Sequence, residues 1–190
     1  MFKVYLVQTG QTIWESQSRL ASSAGSPLSA QGTECVTRTA EELARSNGVN
    51  AIYLAGSEGE TQTAGILAEA LRVKIRNSDD LREIHYGLWQ GLTTDEIKRR
   101  QPKVFRQWRE DPTSIRPPEG ETLEEAQVRL IKGIKRVLKK HKNGSAMFVL
   151  SPIAAALLRC RCEAGSLESL WKYVSPDCAW FSYELDAGSL

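Results

Sequence analysis

Short apolar runs separated by longer amphipathic stretches mark out the regular structure of this chain. Four runs predict strands, and a fifth stretch alternates well enough for a closing strand at a sheet edge. The predicted strands are residues 2–7, 51–55, 73–76, 146–150 and 179–185. Because the stretches between them have helical spacing, the chain predicts an α/β fold with a mainly parallel sheet.

Helix starts are marked by residues that cap a first turn. Ser29 and Pro152 are suited to helix starts, and so are three Ser/Thr-x-x-Glu pairs at residues 57–60, 93–96 and 122–125. The predicted helices begin near residues 30, 58, 94, 103, 123 and 153, the longest covers 123–142, and a short one covers 167–174, whereas residues 13–26 are predicted to be irregular. The predicted buried faces are Val36, Ala40, Leu43 and Ala44 in the first helix, and Leu123, Leu130, Ile134, Val137 and Leu138 in the longest.

Composition narrows the classes of protein to which the chain can belong. It has 190 residues, with 25 basic and 23 acidic side chains and a formal charge of +2. This length predicts a single domain over residues 1–190, and the near-balance of charge gives no reason to expect nucleic acid as a partner. No apolar run reaches the roughly 18 residues that span a bilayer, and no secretory signal pattern is present. We therefore expect a cytoplasmic protein without a membrane partner.

Cysteine and histidine usage gives no metal-binding pattern. Four cysteines and two histidines are scattered along the chain, and Cys160-Arg161-Cys162 lacks the second cysteine pair of a zinc ribbon. We expect reduced thiols, no metal site and no cofactor.

The end of the first predicted strand is the stretch around which the candidate chemistry is organised. Gln8, Thr9 and Gly10 follow the apolar run directly. Ligands of open parallel sheets bind beyond the carboxyl ends of the strands. The sequence therefore predicts a ligand crevice beside these three residues.

Six segments, in order along the chain, carry a family resemblance. They are Leu6-Val7-Gln8-Thr9-Gly10-Gln11-Thr12, Pro27-Leu28-Ser29-Ala30-Gln31-Gly32, the run from Leu54 to Ala64, the set Leu81, Glu83, Gly87 and Gly91, Pro118-Glu119-Gly120-Glu121-Thr122, and Leu150-Ser151-Pro152-Ile153. Together they resemble the histidine phosphatase superfamily, whose fold is phosphoglycerate mutase-like. The resemblance implies a three-layer α/β/α sandwich with a mainly parallel central sheet.

The chain departs from the family pattern where the chemistry belongs. In active members a histidine of the first loop takes the phosphoryl group, two arginines and a second histidine surround it, and an acidic residue handles the leaving-group proton. By the resemblance, Thr9 occupies the position of the nucleophilic histidine, and Pro152 that of the second histidine. Gln8 and Gly59 occupy the positions of the two arginines. Only the acidic residue is retained, as Glu83.

These replacements remove the groups that hold a phosphate. Phosphoryl transfer depends on positioning and on cationic groups that stabilise the equatorial oxygens. The altered positions Gln8, Thr9, Gly59 and Pro152 carry no charge, and neither does Gly10, which is expected to line the pocket with them. With Glu83 present, the local field favours a neutral or cationic ligand over a phosphate, unless bases from elsewhere reach the crevice.

Two residues keep alternative interpretations. Thr9 is either a nucleophile activated by Glu83 or His85, or a loop threonine with local hydrogen bonds. Glu83 is either a surviving catalytic acid or a structural carboxylate bonded to nearby backbone.

The preferred hypothesis is a catalytically inactive member of the superfamily with a binding, scaffolding or regulatory role. Its partner is an unknown small molecule or protein, and a homodimer with a vestigial pocket is a further form of this hypothesis. The alternative is a divergent phosphatase or phosphomutase that acts on a small phosphorylated metabolite through non-standard residues.

Overall fold

A five-stranded sheet forms the centre of the fold in the computed structural model, which describes residues 2–45, 48–140 and 144–185. The strands are β1 (Phe2–Gln8), β2 (Ala51–Leu54), β3 (Lys74–Asn77), β4 (Ser145–Leu150) and β5 (Trp180–Leu185), in the order β3-β2-β4-β1-β5. β1 to β4 pair in parallel, and β5 lies antiparallel to β1 at one edge. The predicted α/β fold with a mainly parallel sheet is confirmed.

Seven α-helices and four short 3-10 turns complete the described residues. The helices are α1 (Ile13–Ser16), α2 (Ala30–Ala44), α3 (Glu58–Leu71), α4 (Thr94–Arg100), α5 (Pro102–Glu110), α6 (Leu123–Lys140) and α7 (Pro152–Cys162). The 3-10 turns are Asp79–Leu81, Gly87–Trp89, Pro112–Ser114 and Leu167–Lys172. The predicted last two residues of the longest helix, 141 and 142, lie outside the described residues.

The helices cover both faces of the sheet because successive strand side chains point to opposite sides. Val4 and Leu6 of β1 belong to a core formed with α6 and α7. Tyr5 and Val7 belong to a second core, formed with α2 and α3. The three-layer α/β/α arrangement is therefore confirmed.

Two local predictions are wrong. Residues 13–26 are not irregular throughout, because α1 begins after a capping box in which the Thr12 hydroxyl accepts the Glu15 N–H (3.2 Å) and the Glu15 carboxylate accepts the Thr12 N–H (2.6 Å). This helix is a single turn without buried residues, so the pattern of apolar positions in the sequence does not predict it. Ala44 is exposed, since it is the last residue of α2 and lies at the margin of the buried stripe.

The loop after β1 lies so close to α2 that glycine is needed on both sides. A Cβ at Gly10 would lie 2.6 Å from the carbonyl oxygen of Gly32 and 2.7 Å from Cγ2 of Val36. A Cβ at Gly32 would collide with the backbone of Gln11. This crossing fixes Thr9 at the carboxyl end of β1, where its N–H donates to the Leu150 carbonyl (2.9 Å).

Candidate functional site

A cavity of about 250 Å³ opens at the carboxyl ends of β1, β2 and β4. Its floor contains Thr9 after β1, Glu60 in the first turn of α3 and Ser151 after β4, all buried. Its walls come from two loop regions, within residues 12–26 and 79–85. The cavity lies where the sequence predicts a ligand crevice.

Glu83 binds the N-terminus of α7. Its carboxylate accepts the N–H groups of Ile153 and Ala154, at 2.9 Å each, and that of Ile84 at 2.8 Å. Pro152, the first residue of α7, has no N–H to offer. A helix N-terminus favours an anion, and in this protein its own carboxylate fills that position. These contacts agree with the interpretation of Glu83 as a structural carboxylate that is hydrogen-bonded to backbone.

Burial raises the pKa of the Glu83 carboxyl to about 7. The hydrogen bonds from the Ile84 and Ile153 N–H groups lower this pKa, and the nearby charge of Glu60 raises it further. Glu83 is therefore close to half protonated at neutral pH. The site tolerates one negative charge poorly, in spite of three hydrogen bonds.

Glu60 is a second carboxylate in the floor. It is only 1% exposed, and one of its oxygens accepts the N–H groups of Gly56 (2.9 Å) and Ser57 (3.1 Å). The other oxygen accepts the Ser151 hydroxyl at 3.0 Å. Glu60 therefore ties the start of α3 to the residue that precedes α7, and it places a second negative charge beside Glu83.

The residues singled out from the sequence separate into two groups. Thr9, Gly59 and Glu83 line the cavity. Gln8, Gly10 and Pro152 were expected to line it but lie outside its lining. The Gln8 amide instead donates to the Ser175 carbonyl at 3.2 Å, Gly10 packs against α2, and Pro152 begins α7.

The corner at Gly59 is closed by the neighbouring wall. A Cβ built at Gly59 would lie 2.7 Å from Cγ2 of Thr12 and 3.2 Å from the Ser26 carbonyl oxygen. Real Cβ atoms almost never make a contact as short as the first. A longer side chain at this position requires the wall formed by residues 12–26 to move.

The basic groups of the lining are held by neighbours. Arg19 donates to the Gly91 carbonyl at 2.8 Å, and the half-exposed Arg82 forms an ion pair with Glu121 at 3.2 Å. His85 is exposed and lies at the rim. None of these groups replaces a cation at the cavity floor.

Thr9 lacks the partners that a nucleophile needs. It is 3% exposed, and its hydroxyl makes no hydrogen bond with any described residue, neither with Glu83 nor with His85. A nucleophilic hydroxyl is normally activated by a base within hydrogen-bond reach. Its hydroxyl also lacks the local hydrogen bonds of the alternative interpretation.

A half-buried ion pair holds the segment that carries Glu83. Arg129 of α6 donates to Glu121 at 2.6 Å and to the carbonyl oxygens of Asp80 (3.0 Å) and Glu83 (3.3 Å). The same Glu121 oxygen also accepts the His85 N–H at 3.0 Å. Glu121 lies in the retained segment 118–122, so this segment serves the scaffold in this chain.

Sequence reasoning missed Glu60, Ser151 and Arg129 as parts of the site. Glu60 was interpreted only as a capping residue, although its place after the β2 strand end was a signal that it would face the crevice. Ser151 and Arg129 gave no comparable signal, because their partners lie 91 and about 46 residues away.

Residues 2–45, 48–140 and 144–185 contain neither a metal-binding cluster nor a membrane-spanning helix. No group of three or more His, Cys, Asp or Glu side chains there is arranged to hold a metal ion. No helix in the same ranges is long and apolar enough to cross a membrane.

The sheet order, the crevice beyond β1 and β4, and the retained acid together define a phosphatase-type α/β fold. The profile of the histidine phosphatase superfamily (branch 1) matches residues 4–190. The chain belongs to this superfamily.

Curated relatives differ in how much of their length this chain covers. Bifunctional protein Rv2228c of Mycobacterium tuberculosis is 32% identical over 166 residues, which are 86% of this chain and 45% of that protein. Phosphoserine phosphatase 1 of Hydrogenobacter thermophilus is 26% identical over 173 residues, 91% of this chain and 82% of that one. The chain thus spans less than half the length of the mycobacterial relative.

Solved structures show the same fold. YhfR of Bacillus stearothermophilus superposes with a TM-score of 0.90 at 26% identity, over 99% of this chain and 93% of that one. A mycobacterial glucosyl-3-phosphoglycerate phosphatase, solved with VO3, superposes with a TM-score of 0.84 at 22% identity, over 95% and 90% of the two chains.

Proposed function

We propose that this chain is a catalytically inactive histidine phosphatase homologue, whose crevice serves binding or regulation instead of phosphoryl transfer. The observation that carries the proposal is the position of Glu83. Its carboxylate takes the N–H groups of Ile153 and Ala154 at the start of α7. A phosphate brought to this helix N-terminus meets a negative charge and no free donor there.

The ionised form of Glu83 repels a phosphate: at an effective dielectric constant of about 20, two like unit charges about 4 Å apart repel by about 4 kcal/mol. Because the pKa of Glu83 is about 7, the carboxyl can take up a proton at neutral pH at a cost below about 1 kcal/mol. The main effect of Glu83 on a phosphate at pH 7 is therefore that it occupies the N–H donors at the start of α7. Glu60 adds to the repulsion, because it is buried on the same floor.

The second support is the lack of an activated nucleophile. The Thr9 hydroxyl has no described hydrogen-bond partner, and the Gly59 corner has no room for a longer side chain. Hydrolysis through a covalent intermediate needs both a nucleophile and cations around the transferred group.

Turnover of phosphomonoesters tests the proposal. Purified protein, Thr9→Ala and Glu83→Gln are assayed with p-nitrophenyl phosphate, phosphoserine and 3-phosphoglycerate. We expect the protein to release no more phosphate than either variant does. A saturable activity that falls more than tenfold in either variant contradicts the proposal.

One observation favours the alternative, a divergent phosphatase or phosphomutase. The Glu83 pKa of about 7 is suited to a general acid at neutral pH, and relatives are named as phosphatases. In that case activity depends on Glu83 and follows its titration. The same assay, repeated from pH 5 to pH 9, distinguishes the two functions.

A further inference from the structure

Two carboxylates of the cavity, Glu60 and Glu83, lie deeper than its exposed arginine. Glu60 is 1% exposed in the floor and Glu83 is half-buried beside it, whereas the Arg82 side chain is 48% exposed. Arg82 is also paired with Glu121 outside the cavity. A ligand that reaches the floor therefore meets net negative charge.

An unpaired polar group faces the same space. Thr9 lines the cavity and is only 3% exposed. Its hydroxyl has no hydrogen-bond partner among the described residues. The Thr9 oxygen is not among the buried side-chain atoms without a partner in the described residues, so it is open to the cavity and accessible to a ligand. A ligand that donates a hydrogen bond would give this hydroxyl oxygen a partner.

The wall opposite adds an aromatic ring. Trp14 of α1 lines the cavity next to Glu15. Indole rings attract cations through the electrons of the ring face, and sites for organic ammonium groups combine such rings with carboxylates. Trp14, Glu15 and the two floor carboxylates give this combination.

The same geometry argues against a metal ion as the cation. No three described His, Cys, Asp or Glu side chains are placed to coordinate one. The cavity of about 250 Å³ lies just below the roughly 300–1,000 Å³ of sites for drug-sized ligands. A small organic cation fits both observations.

We infer that the cavity binds a small organic ammonium ion, with its charge beside Glu60 and Glu83, an N–H donated to the Thr9 hydroxyl, and its carbon chain against Trp14. The inference rests on the proposed function, since an active enzyme would hold a phosphate at this position. It goes further because it names the chemical class of the ligand.

Binding is coupled to the ionisation of Glu83. With a pKa of about 7, the fraction of Glu83 that is ionised rises roughly tenfold from pH 6 to pH 8, so the affinity for a cation rises by up to about that factor. The acidic and phenolic groups that face this site are Glu15, Glu60, Asp79 and Tyr86. The basic and imidazole groups around it are Arg19, Arg82, His85 and Arg129.

Three probes with one carbon chain and different head groups test the inference. They are n-butylammonium, butan-1-ol and n-butyl phosphate, titrated at pH 6 and pH 8 against the ¹⁵N-labelled protein with amide chemical shifts as the readout. We expect saturable shifts at Thr9 and Glu60 with n-butylammonium only, and a dissociation constant that falls several-fold from pH 6 to pH 8.

Two variants and one control locate the effect. Glu83→Gln removes the pH dependence, and Thr9→Val weakens binding without changing the charge. Glu124→Gln removes the same charge from the exposed surface of α6, outside the cavity lining, and leaves binding unchanged.

The outcomes separate the two proposals. If none of the probes shifts the cavity residues, or if n-butyl phosphate binds more tightly than n-butylammonium, the ligand class is wrong. If n-butyl phosphate is hydrolysed and Glu83→Gln abolishes the hydrolysis, the proposed function fails as well. Selective binding of n-butylammonium with the expected pH dependence supports the inference.

Discussion

Gly59→Ala measures directly how closely the wall packs against the corner at Gly59. Alanine stabilises a helix relative to glycine by about 0.5–1 kcal/mol, because glycine loses more backbone entropy on folding. At Gly59, in the first turn of α3, the new Cβ would lie 2.7 Å from Cγ2 of Thr12 and 3.2 Å from the Ser26 carbonyl oxygen. Such overpacking costs about 1–3 kcal/mol. We therefore expect a net destabilisation of about 0.5–2 kcal/mol.

Gly65 supplies a matched control in the same helix. It is exposed, and a Cβ built there has no heavy atom within 4 Å. Gly65→Ala should therefore stabilise the protein by about 0.5–1 kcal/mol. The difference between the two variants, about 1–3 kcal/mol, isolates the contact with the wall, because both variants gain the helical preference of alanine.

Urea denaturation gives the free energies of unfolding. The comparison requires that the slope of the transition stays the same in all three proteins, so that the midpoints report stability alone. If Gly59→Ala stabilises the protein as much as Gly65→Ala, the corner is open, and the argument that a longer side chain has no room there is refuted.

Three further predictions concern the floor and its support. Thr9→Val should leave the free energy of unfolding within about 1 kcal/mol of the parent, since the hydroxyl has no partner; a loss of 1–3 kcal/mol in urea would reveal a structural hydrogen bond. Folding raises the pKa of Glu83, so the free energy of unfolding falls as the pH rises through about 5–8. Between pH 5 and pH 8 the free energy of unfolding of the parent should fall by roughly 2–3 kcal/mol more than that of Glu83→Gln. Equal losses in the two proteins would contradict the assigned pKa. Arg129→Ala should cost about 3 kcal/mol because it removes the closest cation from the Glu121 carboxylate and the guanidinium donor from three carbonyls, whereas Arg116→Ala, which breaks an exposed ion pair, should cost less than 1 kcal/mol; similar losses in thermal unfolding would show that the Arg129 clamp is not structural.

The fold could be predicted because its signals are local. The buried runs that became β1, β2 and β4 are apolar and short, and capping pairs such as Thr93 with Glu96 mark their helices directly. The α1 turn escaped prediction because its support, a hydrogen-bonded pair between Thr12 and Glu15, lies in a polar stretch without an apolar stripe. The single-domain organisation over residues 1–190 stays a prediction.

The site could be predicted only in part. The altered positions are visible in short motifs, and three residues singled out from those motifs, Thr9, Gly59 and Glu83, line the cavity. The partners of Glu83 were not visible, because its bonds to α7 join residues about 70 positions apart. The same is true of the bond between Glu60 and Ser151, which turns a capping residue into part of the floor.

Binding of orthovanadate tests the central claim most directly, because this anion imitates the phosphoryl group that the crevice is proposed to exclude. The protein is titrated calorimetrically at pH 7, with the mycobacterial phosphatase solved with VO3 as the positive control. We predict no saturable binding to this chain at millimolar concentrations of orthovanadate. Saturable binding that phosphate displaces and that Thr9→Val weakens would contradict the account.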